Sequence, residues 1–450
     1  MATNTEERIP SVPVAVDQSI LGQSLELPVS KLIANGRILK AALTERMATW
    51  DQQDVEKRGL PTDELVHLYE VWGSSGFGII VTGNAMITPY HAEAAGNMII
   101  YKPFETQERI TAFKRLSAAI KGHGALAYVQ INHAGRQSPS LMTAQPVSAS
   151  DIQLDPRYGM TFAKPTPLTK DGIKEIVDQF AYAAEFLYRT GFDGVQVHCA
   201  HGYLLAQFLA STTNKRTDEY GGALPNRARI IYEIIEEIRR RVPDTKFSIA
   251  IKINSVEFQE GGFQPEECAE VCAHLEALGV DFVELSGGTY EDFEVLTDKR
   301  DSTKKREAFF TEFSSVIRPS LKVSKVFITG GFRTAAAMVQ AIQSGNADGI
   351  GLGRPITEEP NLAARLIAGE VTRARKPLLD PDNFGLAVAV SGTQLRQIGS
   401  GIQPFNTANQ DEINSFLSVV QSHMAKAGEL EQQGIILEGY PELSGTALVL

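Results

Sequence analysis

Eight times along this chain a short run rich in Val, Ile and neighbouring apolar residues gives way to a longer segment with apolar residues at helical spacing. The runs are GRILKAALT (36–44), FGIIVTGNAMI (77–87), ALAYVQINH (125–133), GVQVHCAH (194–201), FSIAIKINS (247–255), VDFVELSGG (280–288), KVFITGG (325–331) and ADGIGLGRP (347–355). Between them lie helix-like segments such as TDELVHLYEVWGSS, TQERITAFKRLSAAIKGH and PEECAEVCAHLEALG, several opening on Thr and closing on Gly, as helix caps do. Unbroken strand-then-helix repetition predicts a parallel sheet, and eight units are what a (β/α)8 TIM barrel requires. The expected organisation is one α/β domain: an N-terminal extension over 1–30, the barrel over 31–375 and a C-terminal extension over 376–450. That tail carries the Gly- and Gln-rich VSGTQLRQIGSGIQPF (390–405) and then a candidate helix, DEINSFLSVVQSHMAKAGELEQQ (411–433).

In such a barrel ligands sit at the C-terminal ends of the strands, and alternation sends every second residue inward. If Val195 and Val197 face the helices, Gln196 and His198 face the interior. By the same parity Tyr128, Gln130 and Asn132 point inward from the third run, and Ser248, Ala250, Lys252 and Asn254 from the fifth. At the end of the first run Thr44 is in phase with Ala42 and Lys40. A hydroxyl, an amide, an imidazole and an ammonium then converge on one mouth, and each needs a polar partner, because a buried group without one costs about 1–3 kcal/mol.

The stretch VHCAHGYL (197–204) adds His201 and Tyr203 to His198. It admits three readings: a metal site, a satisfied pair in the core, or donors to a reacting oxygen. A metal site normally needs three or more ligands, and no Cys or carboxylate is spaced to complete one, so no metal is expected. The glycines of ITGGF (328–332) and GLGRP (351–355) follow the seventh and eighth runs, where barrels of this kind hold phosphate. Bare backbone N–H groups at Gly331 and Gly353 and the guanidinium of Arg354 suit an anion there.

Composition decides what the ligand is not. A net charge of −11 over 450 residues disfavours nucleic acid or an anionic membrane surface, leaving a small molecule. No apolar run approaches a membrane span and MATNTEERIP lacks the features of a signal peptide, so a cytoplasmic protein is expected. The three cysteines, Cys199, Cys268 and Cys272, form no C-x-x-C pair and are expected to be buried and reduced.

With these residues placed, the chain resembles the old yellow enzyme family of FMN-dependent ene-reductases over roughly residues 27–370. The resemblance is carried by VQVHCAHGYLLAQFLASTTNKRTDEYGGALPNRAR (195–229), with AALTERM, VQINHAGRQ, TGGFRT and GLGRP in support. It implies FMN as cofactor, NADH or NADPH as hydride donor, and an activated alkene, an α,β-unsaturated carbonyl or nitro compound, reduced in the second of two half-reactions.

By the same resemblance Thr44 lies near the flavin C4 carbonyl, with Ala42 and Leu43 giving backbone contacts. Gln130 reads the pyrimidine edge, and Gly331, Gly353 and Arg354 take the phosphate. His198 and His201 hold the substrate oxygen and Tyr203 donates a proton. Lys252 stands where the family usually has an arginine beside flavin N1; it keeps the charge and loses the planar fork.

VTGNAM (81–86) replaces the family's acidic pattern, so Asn84 is not assigned to the site. Arg136 of HAGRQ either contacts ligand or fixes its own loop. The C-terminal extension has no counterpart in compact members; it caps the site or makes a contact between subunits of a homo-oligomer, and its helix is expected to serve stability more than chemistry. The alternative is a flavin-free, phosphate-binding aldolase or isomerase using Lys252 as its amine.

Overall fold

A computed structural model describes residues 16–257, 260–288, 311–380 and 383–450. All eight runs form strands: β1 (Ile38–Lys40), β2 (Ile79–Met86), β3 (Leu126–Asn132), β4 (Gly194–Cys199), β5 (Ser248–Asn254), β6 (Phe282–Ser286), β7 (Lys325–Thr329) and β8 (Gly349–Leu352). Each pairs in parallel with its neighbours, and β1 bonds to both β2 and β8, which closes the sheet into a (β/α)8 barrel.

The surrounding helices include α1 (Asp63–Gly73), α2 (Gln107–Lys121), α3 (Lys170–Arg189), α4 (Leu224–Arg241), α5 (Pro265–Ala277), α6 (Ala335–Gln343) and α7 (Leu362–Ile367). Thr62, Thr106, Thr169 and Thr334 cap four of them, each accepting a backbone N–H three residues on at 3.0–3.3 Å. Each such cap stabilises by about 1 kcal/mol.

Strand parity places the core. Val195 and Val197, with Ile249, Ile251 and Ile253, pack outward against the helices. Tyr128, Phe282 and Phe327 meet edge to face inside the barrel at 5.3 and 5.2 Å between centroids. Leu25, Leu27 and Ala34 of an antiparallel N-terminal hairpin join that inner cluster, and Asp281 accepts from Val29 N and Ser30 N at 2.7 and 3.1 Å. The hairpin therefore plugs the N-terminal end, and ligands must enter at the other.

The first strand departs from the expected parity. It ends at Lys40, whose Nζ turns away from the mouth to donate to Tyr69 Oη (3.0 Å) and Val81 O (2.9 Å) beneath α1. Residues 41–44 are irregular, so alternation does not carry through to Thr44. In β2 the register slips between Val81 and Asn84. A Cβ on Gly83 would overlap Leu43 O and the Glu45 carboxylate, and its N–H donates to Glu45 Oε1 at 2.8 Å.

Beyond the barrel the chain adds α8 (Phe384–Gly399) and α9 (Gln410–Glu431). The stretch read as Gly- and Gln-rich is thus mostly helix. It packs on α1, and Thr357 Oγ1 donates to Gln394 Oε1 at 2.7 Å. The helix α9 is held by Phe416, which stacks on Phe405 at 4.7 Å. Cys268 and Cys272 lie buried on α5 with sulfurs 3.8 Å apart, and Cys199 is buried at the end of β4. Among the described residues no helix is long and apolar enough to cross a membrane.

Candidate active site

At the end of β4 His198 points into the barrel mouth. Its Nδ1 accepts from Ala200 N at 3.2 Å, which puts the ring proton on Nε2. The chain then reverses through two left-handed residues, His201 (φ 59°) and Gly202 (φ 76°). A non-glycine residue held there costs on the order of 1–2 kcal/mol. Two neighbouring strands hold the turn: His201 N donates to Asn254 Oδ1 of β5 (3.1 Å), and its Nε2 lies 2.9 Å from Ser286 Oγ of β6. If Ser286 donates, Nδ1 keeps the proton.

The reversal brings three rings together: His198 lies 5.2 Å from His201 and 4.9 Å from Tyr203, both edge-on. Burial, and after it the neighbouring cation Lys252, pulls His201 down to about 3. Burial, with His201 and Lys252, also holds His198 well below the usual imidazole range. Both rings are neutral at physiological pH, and each presents a single N–H donor rather than a charge.

Beneath them a polar chain crosses four strands. Gln130 Nε2 donates to Gln196 Oε1 (2.6 Å), Gln196 Nε2 to Glu284 Oε2 (2.7 Å), and Lys252 Nζ pairs with Glu284 Oε1 at 2.9 Å. Lys252 is therefore both a barrel ion pair and a wall of the recess that it shares with Ala42, Leu43, Thr44, Gln130 and His198.

The recess opens to a cavity of about 490 Å³ shared by Thr44, His201, Tyr203 and, at its far side, Arg354. Arg354 also lines a neighbouring cleft with Arg333. Gly330 and Gly331 end β7 with φ of 145° and 77°, and Thr329 Oγ1 beside them is buried with no hydrogen-bond partner among the described residues. Asn84 Oδ1, in the recess, is likewise unsatisfied. Donors and acceptors at one end, among them the unsatisfied Asn84 Oδ1, and two arginines at the other fit FMN, with its imide edge and its phosphate. Gly331 lines neither cavity; its place is the backbone turn after β7.

Several residues of the site escaped the sequence reading. Asn84, left out there, lines the recess after the register slip in β2. Glu93, from the loop after β2, lines the larger cavity although it is 92% buried (8% exposed). The outer wall is aromatic: Tyr158 and Phe384 lie 4.9 Å apart, and Tyr440 donates to Thr44 O at 2.9 Å. Phe384 and Tyr440 belong to the C-terminal extension, which thus caps the site. Strand parity has no access to any of them. Arg136 is buried and donates to Ile152 O and Gln153 O at 3.4 and 3.5 Å, fixing its own loop.

Residues 29–372 match the NADH:flavin oxidoreductase / NADH oxidase family. The chain is 44% identical over 415 residues to the NADH-dependent flavin oxidoreductase nadA of Aspergillus parasiticus, covering 92% of this chain and 93% of that one. It is 34% identical to the NADH-dependent flavin oxidoreductase iccE of Talaromyces variabilis over 77% and 86% of the two chains. A solved old yellow enzyme homologue from Zymomonas mobilis shares the fold, with a TM-score of 0.62 and 24% identity over 79% of this chain and 94% of that one. This chain belongs to the NADH:flavin oxidoreductase family, of the old yellow enzyme type, and is an FMN-dependent oxidoreductase that takes hydride from a nicotinamide.

Proposed function

We propose that the protein reduces the C=C bond of α,β-unsaturated carbonyl or nitro compounds at the expense of NADH or NADPH. The observation that carries this reading is the meeting of two neutral imidazoles and a phenol at one point of the barrel mouth. FMN, when bound, relays hydride from the nicotinamide to the alkene.

The chain's own residues do the rest. His198 and His201 donate to the substrate oxygen. Negative charge grows there as the bond is reduced, so the two donors hold the transition state more tightly than the bound alkene. Neutral rings suit this task across the physiological range, since neither changes charge with pH. Tyr203 protonates the α-carbon. Thr44, Gln130 and Lys252 would orient FMN and Arg354 would hold its phosphate; Gly331 and Gly353 line none of the site's cavities and serve as the backbone turns after β7 and β8. The walls from Tyr158, Phe384 and Tyr440 exclude water and favour a flat, apolar substrate body.

Membership of a flavin family removes the flavin-free aldolase or isomerase, and the Lys252–Glu284 ion pair leaves that amine poorly placed to act as a nucleophile. The test is a visible spectrum of purified protein, anaerobic titration with NADH and with NADPH, then mixing with 2-cyclohexenone or a nitroalkene. Return of the oxidised flavin spectrum with formation of the saturated product is expected. Reoxidation by oxygen alone would refute the alkene reading and leave the flavin reading intact.

A further inference from the structure

Glu93 gathers three side chains from three parts of the fold. Tyr203 Oη, after β4, donates to its Oε2 at 2.5 Å; Asn84 Nδ2, from β2, donates to the same oxygen; Thr44 Oγ1, after β1, donates to Oε1. A carboxylate accepting from three donors is held in one place, and it stands on the wall of the open cavity. Arg46, His201, Tyr203 and Tyr440 line that cavity with it, and Glu45 faces away onto Tyr69 and Gly83.

We propose that Glu93 is a positioning residue that aims the Tyr203 phenol and relays to it the proton which alkene reduction consumes. The proposal rests on the alkene reading above and adds the route of the proton. While Glu93 is ionised, the Tyr203 proton points at the carboxylate, and giving it to substrate would leave tyrosinate and carboxylate in contact. Uptake of one proton from cavity water by Glu93 Oε2 reverses the bond. The Tyr203 O–H then breaks as the new C–H bond forms at the α-carbon, and the proton on Glu93 passes to Tyr203 Oη. Glu93 is left ionised and the phenol restored, so each alkene takes one hydride from the reduced cofactor and one proton from solvent. Thr44 is held by the same carboxylate, which ties the proton route to the residue beside the cofactor.

Two readouts test this on the FMN-loaded enzyme. First, the tyrosinate absorbance of Tyr203, taken as the difference from Tyr203→Phe, is titrated with and without Glu93→Gln. Removing the charge makes the tyrosinate easier to form, so the midpoint should fall by at least one pH unit; an unchanged midpoint overturns the proposal whatever the substrate proves to be. Second, in single turnovers with 2-cyclohexenone Glu93→Gln should slow reoxidation at least tenfold more than it slows reduction by NADH, and Glu93→Asp should recover part of that loss. Equal slowing of both steps in Glu93→Gln overturns the relay. If the wild-type enzyme ignores 2-cyclohexenone and nitroalkenes, the alkene reading fails, and the Tyr203 titration still decides the role of Glu93. Should Glu93→Gln not retain FMN, the same titration in Glu93→Asp applies, and a midpoint unmoved by the shorter carboxylate overturns the proposal.

Discussion

Lys40 should make the stability of this protein depend on pH in a way that one substitution abolishes. Its Nζ is fully buried between β1 and α1, bonded to Tyr69 Oη and Val81 O and lying 4.5 Å from the Trp72 ring centre. Burial draws its pKa down to about 7, against the pull of Glu45 and with a small push from Lys252. In the unfolded chain a lysine holds its proton to about pH 10.4. Between those values the unfolded state binds more protons than the folded one, so stability rises with pH and is lost as pH falls toward 7. At about 1.4 kcal/mol per pH unit, the two units from 7 to 9 are worth about 3 kcal/mol.

Lys40→Met keeps the apolar stem and removes the titration. Urea unfolding of both proteins, with excess FMN, from pH 6 to pH 9 should show wild-type stability rising relative to Lys40→Met by about 3 kcal/mol. Parallel profiles would refute the claim that Lys40 is held neutral in the fold.

Three further perturbations bear on the site. Replacing His198 and His201 by Ala should weaken a phenolic inhibitor by about 1.5–3 kcal/mol per lost bond, roughly tenfold to a hundredfold each, in a titration of its absorbance band. Because burial keeps both rings neutral, the wild-type affinity should show no imidazole titration between pH 5 and 8, apart from that of the phenol itself. Tyr203→Phe should spare reduction of the flavin by NADH and slow enone reduction by about 10² to 10⁴, the usual worth of a positioned general acid, as stopped-flow rates of the two half-reactions would show. Gly392→Val should drive Tyr440 off the wall, because a Cβ at 392 overlaps its ring. The expected result is a loss of about 1–3 kcal/mol in stability and a raised KM for alkene. Gly428→Ala, where an added Cβ on α9 meets nothing within 4 Å, is the control: it should leave KM unchanged and raise stability by at most about 1 kcal/mol.

What the sequence made legible follows from where periodicity holds. From Gly194 to Cys199 and from Ser248 to Asn254 the strands are regular to their ends, so alternation correctly turned Gln196, His198 and Lys252 inward. It failed where regularity failed. β1 stops at Lys40, and an amine that parity sent to the mouth lies under α1 instead. The slip in β2 brought Asn84 into the recess, and Glu93 sits in a loop that has no period to read. Helix α8 was hidden by Gly392, which costs a helix about 1 kcal/mol relative to Ala. The glycine is tolerated because Tyr440, 48 residues later in the chain, packs where its side chain would be.

Because Phe384 and Tyr440 come from outside the eight units, this site is encoded in two stretches that can diverge separately. A descendant could exchange residues 376–450 for another tail and keep each strand, each cap and the His198–Tyr203 reversal, since none of the barrel's closing hydrogen bonds uses them. Its catalysis would be inherited while its appetite changed. Substrate range in such a lineage should therefore vary with the tail as well as with the barrel loop that carries Tyr158, and exchanging the tail would change part of the wall while leaving His198, His201 and Tyr203 in place.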